Sequence, residues 1–233
     1  MKPVYIFRHQ EYEGPGFFQQ ILHKRQIPYE ILFIDQGEAV PETLESCSAL
    51  VLMGGPMSVN DNLAWIEKEL CLIRAAVETD MPVLGHCLGG QLISKALGEA
   101  IVANEVKEIG WLPVEKLDNH SSRDWLGALP SSFEAFHWHG ETFSIPDGAT
   151  NILQSEKCPH QAFVINNTLA MQCHIEMTGS MVRQWADFYQ HELVEGVPSI
   201  QSAPMMNSRL AERIEQLHTI AETVYERWLQ PLK

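Results

Sequence analysis

Met81-Pro82-Val83-Leu84-Gly85-His86-Cys87-Leu88-Gly89-Gly90-Gln91 is a short apolar run, then a cysteine flanked by glycines, then a helical pattern. The run 81–84 reads as a strand, and 88–97 as a helix stopped by Gly98. Gly-x-Cys-x-Gly between them is the thiol form of the strand–turn–helix elbow that presents a nucleophile at the end of a parallel strand. Such a turn is strained and crowded, so its flanks must be small, as Gly85 and Gly89 are. It places Cys87 at a helix N-terminus, where the dipole favours an anion. The N–H of the next residue, Leu88, is then placed to meet a developing oxyanion. The bland alternative is a buried cysteine in a glycine-rich turn. Neighbouring residues at a strand end point to opposite faces, so His86 reads as a packing residue with a fixed tautomer, not as a base.

Upstream, segments 3–8, 29–34 and 48–53 read as strands and 16–26 as a helix. Asn62 is the expected N-cap of a helix in which Ile66, Leu70, Ile73 and Val77 form one apolar stripe. Near-continuous apolar strands separated by helices predict an α/β chain with a doubly wound, mostly parallel sheet. After Gly98 come the shorter strand-like segments 99–117, 133–139, 151–154, 162–165 and 169–174, which predict a smaller antiparallel patch. The final helix, 206–228, carries Leu210, Ile214, Leu217, Ala221, Val224 and Trp228 on one stripe. The stripe fits packing on the domain body; the alternative is a seam in a homo-oligomer. No repeat or linker divides the chain. The expected organisation is one domain over 1–190, with 191–233 a linker and a C-terminal helix packed on it.

The 233 residues hold 16 basic and 30 acidic side chains, a formal charge of −14, and 45% are hydrophobic. That composition is globular and argues against a nucleic-acid surface, which needs a basic stripe. No window reaches the roughly 18 apolar residues that cross a bilayer, and the first segment is too short for an export signal. Five cysteines with no C-x-x-C pair suit reduced thiols and a cytoplasmic protein, four of the five serving as packing.

A thiol nucleophile needs a base and a group that orients the base. Met171-Gln172-Cys173-His174-Ile175-Glu176 offers both. In extended chain His174 and Glu176 share a face, so His174 can take the thiol proton while Glu176 holds the imidazole. A second histidine-rich stretch, Phe136-His137-Trp138-His139-Gly140-Glu141, has the spacing of two metal ligands on one strand face. With no third ligand at a matching spacing, a pocket wall or a core strand end is the preferred reading and no metal is expected.

Together these motifs resemble the class I glutamine amidotransferase family. Met53-Gly54-Gly55-Pro56-Met57-Ser58, the Gly85–Gln91 elbow and His174-Ile175-Glu176 stand in the family's order across roughly residues 1 to 190. Lys107-Glu108-Ile109-Gly110-Trp111 and Trp138-His139-Gly140-Glu141-Thr142-Phe143 look like a free-standing subgroup related to the glutaminase part of GMP synthase. The resemblance implies a flavodoxin-like sheet and a Cys-His-Glu triad of Cys87, His174 and Glu176. It also implies oxyanion donors at the backbone of Gly55 and Leu88, and a glutamine pocket touched by Gln91 and His139. The family usually has Phe before the catalytic His and Pro after it; here Cys173 and Ile175 stand there. Cys173 is expected to pack, pointing away from His174.

The chain has no P-loop and little room for an ATP-using partner domain. The resemblance therefore implies either a separate synthetase subunit that takes up ammonia, or a stand-alone hydrolase of larger γ-glutamyl compounds. A non-catalytic binding module with the same fold is the third reading. No cofactor is expected.

Overall fold

The structure is a computed structural model describing residues 2–232; Met1 and Lys233, the outer ends of the two expected segments, lie outside the described residues. The chain runs β1 (Val4–Arg8), α1 (Gly16–Lys24), β2 (Tyr29–Phe33), β3 (Ala49–Leu52), α2 (Ala64–Glu78), β4 (Val83–His86), α3 (Leu88–Ala96), β5 (Ile101–Lys116), α4 (His120–Leu126), β6 (Ser132–Phe143), β7 (Thr150–Gln154), β8 (Ala162–Ile165), β9 (Thr168–Met171), α5 (Gly179–Phe188), α6 (Ala203–Asn207) and α7 (Leu210–Trp228). No helix of the described residues is long and apolar enough to cross a membrane.

The nine strands form one sheet in the order β2-β1-β3-β4-β9-β8-β7-β5-β6. From β2 to β9 every neighbour is parallel; from β9 to β6 every neighbour is antiparallel. The fold class is the α/β one expected. The antiparallel part is a continuation of the same sheet with as many pairings as the parallel part, because the long β5 and β6 pair over most of their length and β7 and β8 join them to β9.

The core lies in two layers, one on each face of the sheet. One contains Phe7, Leu50, Leu52, Leu70, Ile73 and Leu92 under α2 and α3. The other contains Val4, Ile6, Phe18, Leu84, Val224 and Trp228 under α1 and α7. Covering both faces explains why β3 reads apolar at every position.

Three local expectations change. Helix α2 is preceded by an extended Leu63 with no side-chain cap, not by Asn62; Asn62 lies in the turn before it, where Asp61 accepts the Ser58 N–H at 3.0 Å. The last helix does not run from 206: Ser208 is extended and Arg209 left-handed (φ 52°), splitting off the short α6. The α7 stripe packs on its own chain, with Leu217, Ala221, Val224 and Trp228 almost fully buried. Helices α4 and α5 were not foreseen. They span two to three turns, too few for a clear apolar period, and their signal is the N-cap: Asn119 accepts from Ser122 N–H, and Thr178 from Met181 N–H.

Candidate active site

The elbow forms as its residues require. Cys87 has φ 51° and ψ −109°, a conformation that costs an L-residue about 1–3 kcal/mol. Its N–H donates to the Met171 carbonyl at 2.8 Å, which ties the turn to the end of β9. A Cβ on Gly85 would strike the Gly89 backbone, and one on Gly89 would strike the Leu52 carbonyl. Strand β4, helix α3 and strand β3 therefore close on one another only because both positions are glycine.

Three further segments converge on Cys87. His174 is held to β6 by two backbone bonds, its N–H donating to the Phe136 carbonyl at 2.8 Å and its carbonyl accepting from Phe136 N–H at 3.3 Å. Its Nδ1 lies 2.6 Å from Glu176 Oε1. The pair is fully buried, and Trp185 of α5 stands edge-on to the imidazole, centroids 4.9 Å apart. Burial opposes a charge on His174, but the Glu176 carboxylate, together with contacts to Cys87, outweighs it and holds the pKa well above the ordinary value. Burial likewise opposes the Glu176 charge, and the histidines beside it bring its pKa below the ordinary range. His174 Nε2 has no hydrogen bond of normal geometry, and the Cys87 thiol is near enough to raise the imidazole's proton affinity. Cys87 Sγ also receives the Gln172 side-chain amide at 3.5 Å and lies 3.7 Å from the Trp138 carbonyl.

The loop after β3 supplies Gly55, where an added Cβ would crowd Met57 and the Leu88 side chain at the first turn of α3. His9 braces this loop. Its Nδ1 lies 3.0 Å from the Met53 carbonyl, and its Nε2 lies 3.1 Å from the buried Glu69. Gln91, one turn into α3, donates to Gln172 at 3.2 Å.

These groups border a cavity of about 320 Å³ lined by Cys87, Gly55, Gln91, His139, Trp138 and Glu13, among others. Glu13 and Tyr189 were not anticipated. Tyr189 O–H donates to Glu13 Oε1 at 2.6 Å. Burial raises the Glu13 pKa, an effect its neighbours only partly offset. Glu13 Oε2 fills the space a Cβ on Gly54 would need, and that same space touches the His174 ring. Glu13 sits in a loop with no motif around it, and no sequence signal marks it.

His139 lies on the pocket wall in a further buried histidine–carboxylate pair, Nε2 to Glu108 Oε2 at 3.0 Å. Glu108 is the third potential ligand that the sequence did not offer; it arrives from β5, directly across from His139. Glu108, His137 and His139 bring candidate ligand atoms within 4.8 Å of one another and could hold an ion. The Glu108 carboxylate is already committed to Ser155 Oγ (2.7 Å), Gln161 Nε2 (2.8 Å) and His139. Glu108 and His139 thus form a hydrogen-bonded wall, whereas neither ring nitrogen of the buried His137 has a hydrogen bond of normal geometry. Cys173 packs as expected, fully buried, and burial pushes its thiol pKa far up. Of the other cysteines, Cys47 and Cys158 are buried, but Cys71 is exposed on the outer side of α2 and is not packing.

A strained thiol at the end of a parallel strand, with a buried His–Glu pair beside it and a small pocket open to the thiol, is the layout of the strand–turn–helix elbow. Residues 18–185 match the family described as "Glutamine amidotransferase class-I". The chain is 30% identical over 198 residues to the glutamine amidotransferase-like protein YfeJ of Salmonella typhimurium, covering 82% of this chain and 83% of that one. It belongs to the class I glutamine amidotransferase family. A solved glutamine amidotransferase from Methylobacillus flagellatus superposes with a TM-score of 0.96 at 42% identity, over 100% of this chain and 96% of the other. One from Thermotoga maritima superposes with a TM-score of 0.87 at 28% identity, over 98% of both chains. GMP synthase of Thermomicrobium roseum is 28% identical over 138 residues, 57% of this chain; the match spans about a quarter of that enzyme, 24%.

Proposed function

We propose that the protein is a glutamine amidotransferase-type hydrolase with Cys87 as nucleophile, His174 as base and Glu176 as the acid that orients it. The observation that carries this reading is the buried 2.6 Å His174–Glu176 pair, whose free ring nitrogen is turned to the thiol of the elbow. His174 takes the thiol proton, and Cys87 Sγ bonds to the side-chain carbonyl carbon of glutamine. The N–H groups of Gly55 and Leu88 receive the oxyanion. His174 then protonates the leaving nitrogen; the C–N bond breaks to give ammonia and a γ-glutamyl thioester. Water, losing its proton to His174, attacks the thioester carbonyl, and glutamate leaves as the thiol re-forms. Gln91 and His139 line the pocket for the glutamyl group.

A second reading has its own support. The cavity continues past Cys87 to Lys107, Ile109 and Glu192, which leaves room for a leaving group larger than ammonia. On that reading the substrate is a larger γ-glutamyl compound. The GMP synthase relatives favour ammonia delivery, here to a separate synthetase subunit. A binding module without turnover is the remaining alternative. We place the protein in the cytoplasm, where its five unpaired thiols, Cys87 above all, stay reduced. Residues 1–190 form the amidotransferase unit, with 191–233 as its C-terminal brace.

The test is glutamate release from glutamine and, separately, from a γ-glutamyl dipeptide, together with covalent labelling of Cys87 by a glutamine-like electrophile. Release from glutamine that disappears in Cys87→Ala supports the first reading, and release from the dipeptide alone supports the second. Silence with both substrates and no labelling overturns both.

A further inference from the structure

Glu176 has two carboxylate oxygens, and His174 takes one of them. The other, Oε2, is buried without a hydrogen bond of good geometry. Its polar neighbour is His86 Nδ1, 3.3 Å away. The same nitrogen lies 3.4 Å from the Cys173 carbonyl, so one proton on it faces two acceptors. The second nitrogen of His86, Nε2, lies 3.0 Å from the hydroxyl of Tyr225, which α7 carries into the core. His86 and Tyr225 are both fully buried.

These contacts select one tautomer. With two acceptors at Nδ1, the proton belongs there; Nε2 is then an acceptor, and Tyr225 O–H donates to it. Burial supports the assignment, holding His86 below its ordinary pKa and keeping the Tyr225 hydroxyl protonated. The opposite tautomer would set a lone pair of Nδ1 against both the Glu176 carboxylate and the Cys173 carbonyl, while Nε2–H would donate to the Tyr225 oxygen, so the choice is made at Nδ1.

We propose that His86 and Tyr225 are positioning residues for the Glu176–His174 pair, so that α7 completes the site from the far end of the chain. The proposal rests on the triad reading above. Tyr225 anchors the His86 ring at Nε2, His86 turns its Nδ1–H toward the Cys173 carbonyl and Glu176 Oε2, and Glu176 keeps its charge and its orientation toward His174. Phenylalanine would serve equally well at 225 if the side chain only filled space.

Other titratable groups face the triad. They are Glu13 before α1, His137 of β6, Cys173 beside the base and Tyr189 after α5. The test therefore compares substitutions that leave all of these in place. Alkylation of Cys87 by iodoacetamide is followed against pH in the full chain, by mass spectrometry of the Cys87 peptide, alongside steady-state hydrolysis of glutamine.

In Tyr225→Phe the labelling midpoint moves to higher pH, because a less supported imidazolium stabilises the thiolate less. Its kcat/KM falls about fivefold, the equivalent of about 1 kcal/mol for one hydrogen bond. His86→Leu shifts the midpoint further, and His86→Asn, which can keep an N–H near the Nδ1 position, recovers part of the shift. Val224→Ala, a core truncation on the same helix, lowers the melting temperature and leaves the midpoint in place. A Tyr225→Phe curve that superimposes on wild type, or a Val224→Ala curve that moves as far, overturns the proposal. If His174→Ala moves the midpoint and Tyr225→Phe does not, this proposal alone falls. If His174→Ala leaves it unmoved, the triad reading falls too.

Discussion

Among the buried histidine–carboxylate pairs, one stands beside Cys87 and another in the pocket wall, and their ordinary distances do not tell them apart. His174–Glu176 is 2.6 Å and His139–Glu108 is 3.0 Å. The difference is what remains unspent. Both ring nitrogens of His139 face oxygens, the Glu141 carbonyl at 3.0 Å and Glu108, and Glu108 takes two further donors. His174 keeps Nε2 free of any ordinary partner, opposite a thiol. A histidine–carboxylate pair can move a proton only when the far nitrogen is left open toward a reacting atom; closed at both ends it is a strut.

The sharpest way to break this contrast is to remove each imidazole. His174→Ala should lower glutamine hydrolysis by about 10²–10⁴-fold and, because it strips the buried Glu176 carboxylate of its closest partner, also lower the melting temperature. His139→Ala should keep kcat within about tenfold while raising KM and lowering stability by a few kcal/mol, on the order of a broken buried network. Equal losses of kcat in the two variants would end the distinction.

The carboxylates give the next largest contrast. Glu176→Gln should cost activity, though less than loss of the base. Glu108→Gln should cost about 1–3 kcal/mol of stability in urea unfolding and leave kcat near wild type. A Glu108→Gln enzyme that is fully stable but slow would reverse the assignment.

A pH experiment sharpens the strut. Burial brings His137, on the same strand face as His139, down from 6.5 to about 3. The folded state therefore binds fewer protons than the unfolded chain between those values. The contribution of neutral His137 is complete above pH 6.5 and is lost as pH falls toward about 3. Urea midpoints should fall through that window in wild type, and less steeply in His137→Gln. A variant that tracks wild type throughout would remove His137 from the acid limb.

The smallest expected effect tests the pocket side of the active pair. Gly54→Ala must displace the Glu13 carboxylate, because the added methyl would occupy its place. A modest rise in KM is expected, and Glu13→Gly in the same chain should not add to it. Full additivity would mean that the two positions do not share space.

The elbow was legible because its requirements are local. Gly85, Cys87 and Gly89 lie within five residues, and each is demanded by a close approach or a strained turn. The His174–Glu176 spacing was legible too, but not for the reason expected: β9 ends at Met171 and the chain bends over 172–176, with His174 held by its bridge to Phe136, so the two side chains meet across a bend and not along an extended strand. Glu13, Glu108, Tyr189 and Tyr225 were not legible. Each is an isolated polar residue whose partner is distant in sequence, as with Tyr189 and Glu13 or Tyr225 and His86. The reading of His86 as a packing residue was half right. It does turn away from Cys87 into the core, but it does so against the back of Glu176.

The sequence by itself determined the α/β class, the thiol at the elbow and the His-x-Glu pair, because periodicity, glycine placement and short spacings act within a few residues. Tertiary structure decided that His174 keeps an open nitrogen beside the thiol, which carboxylates are spent on neighbouring donors, and that Tyr225 of the last helix meets His86 behind Glu176. Those outcomes depend on which strands lie side by side in the nine-stranded sheet and on what burial does to charge there, neither of which a local pattern records.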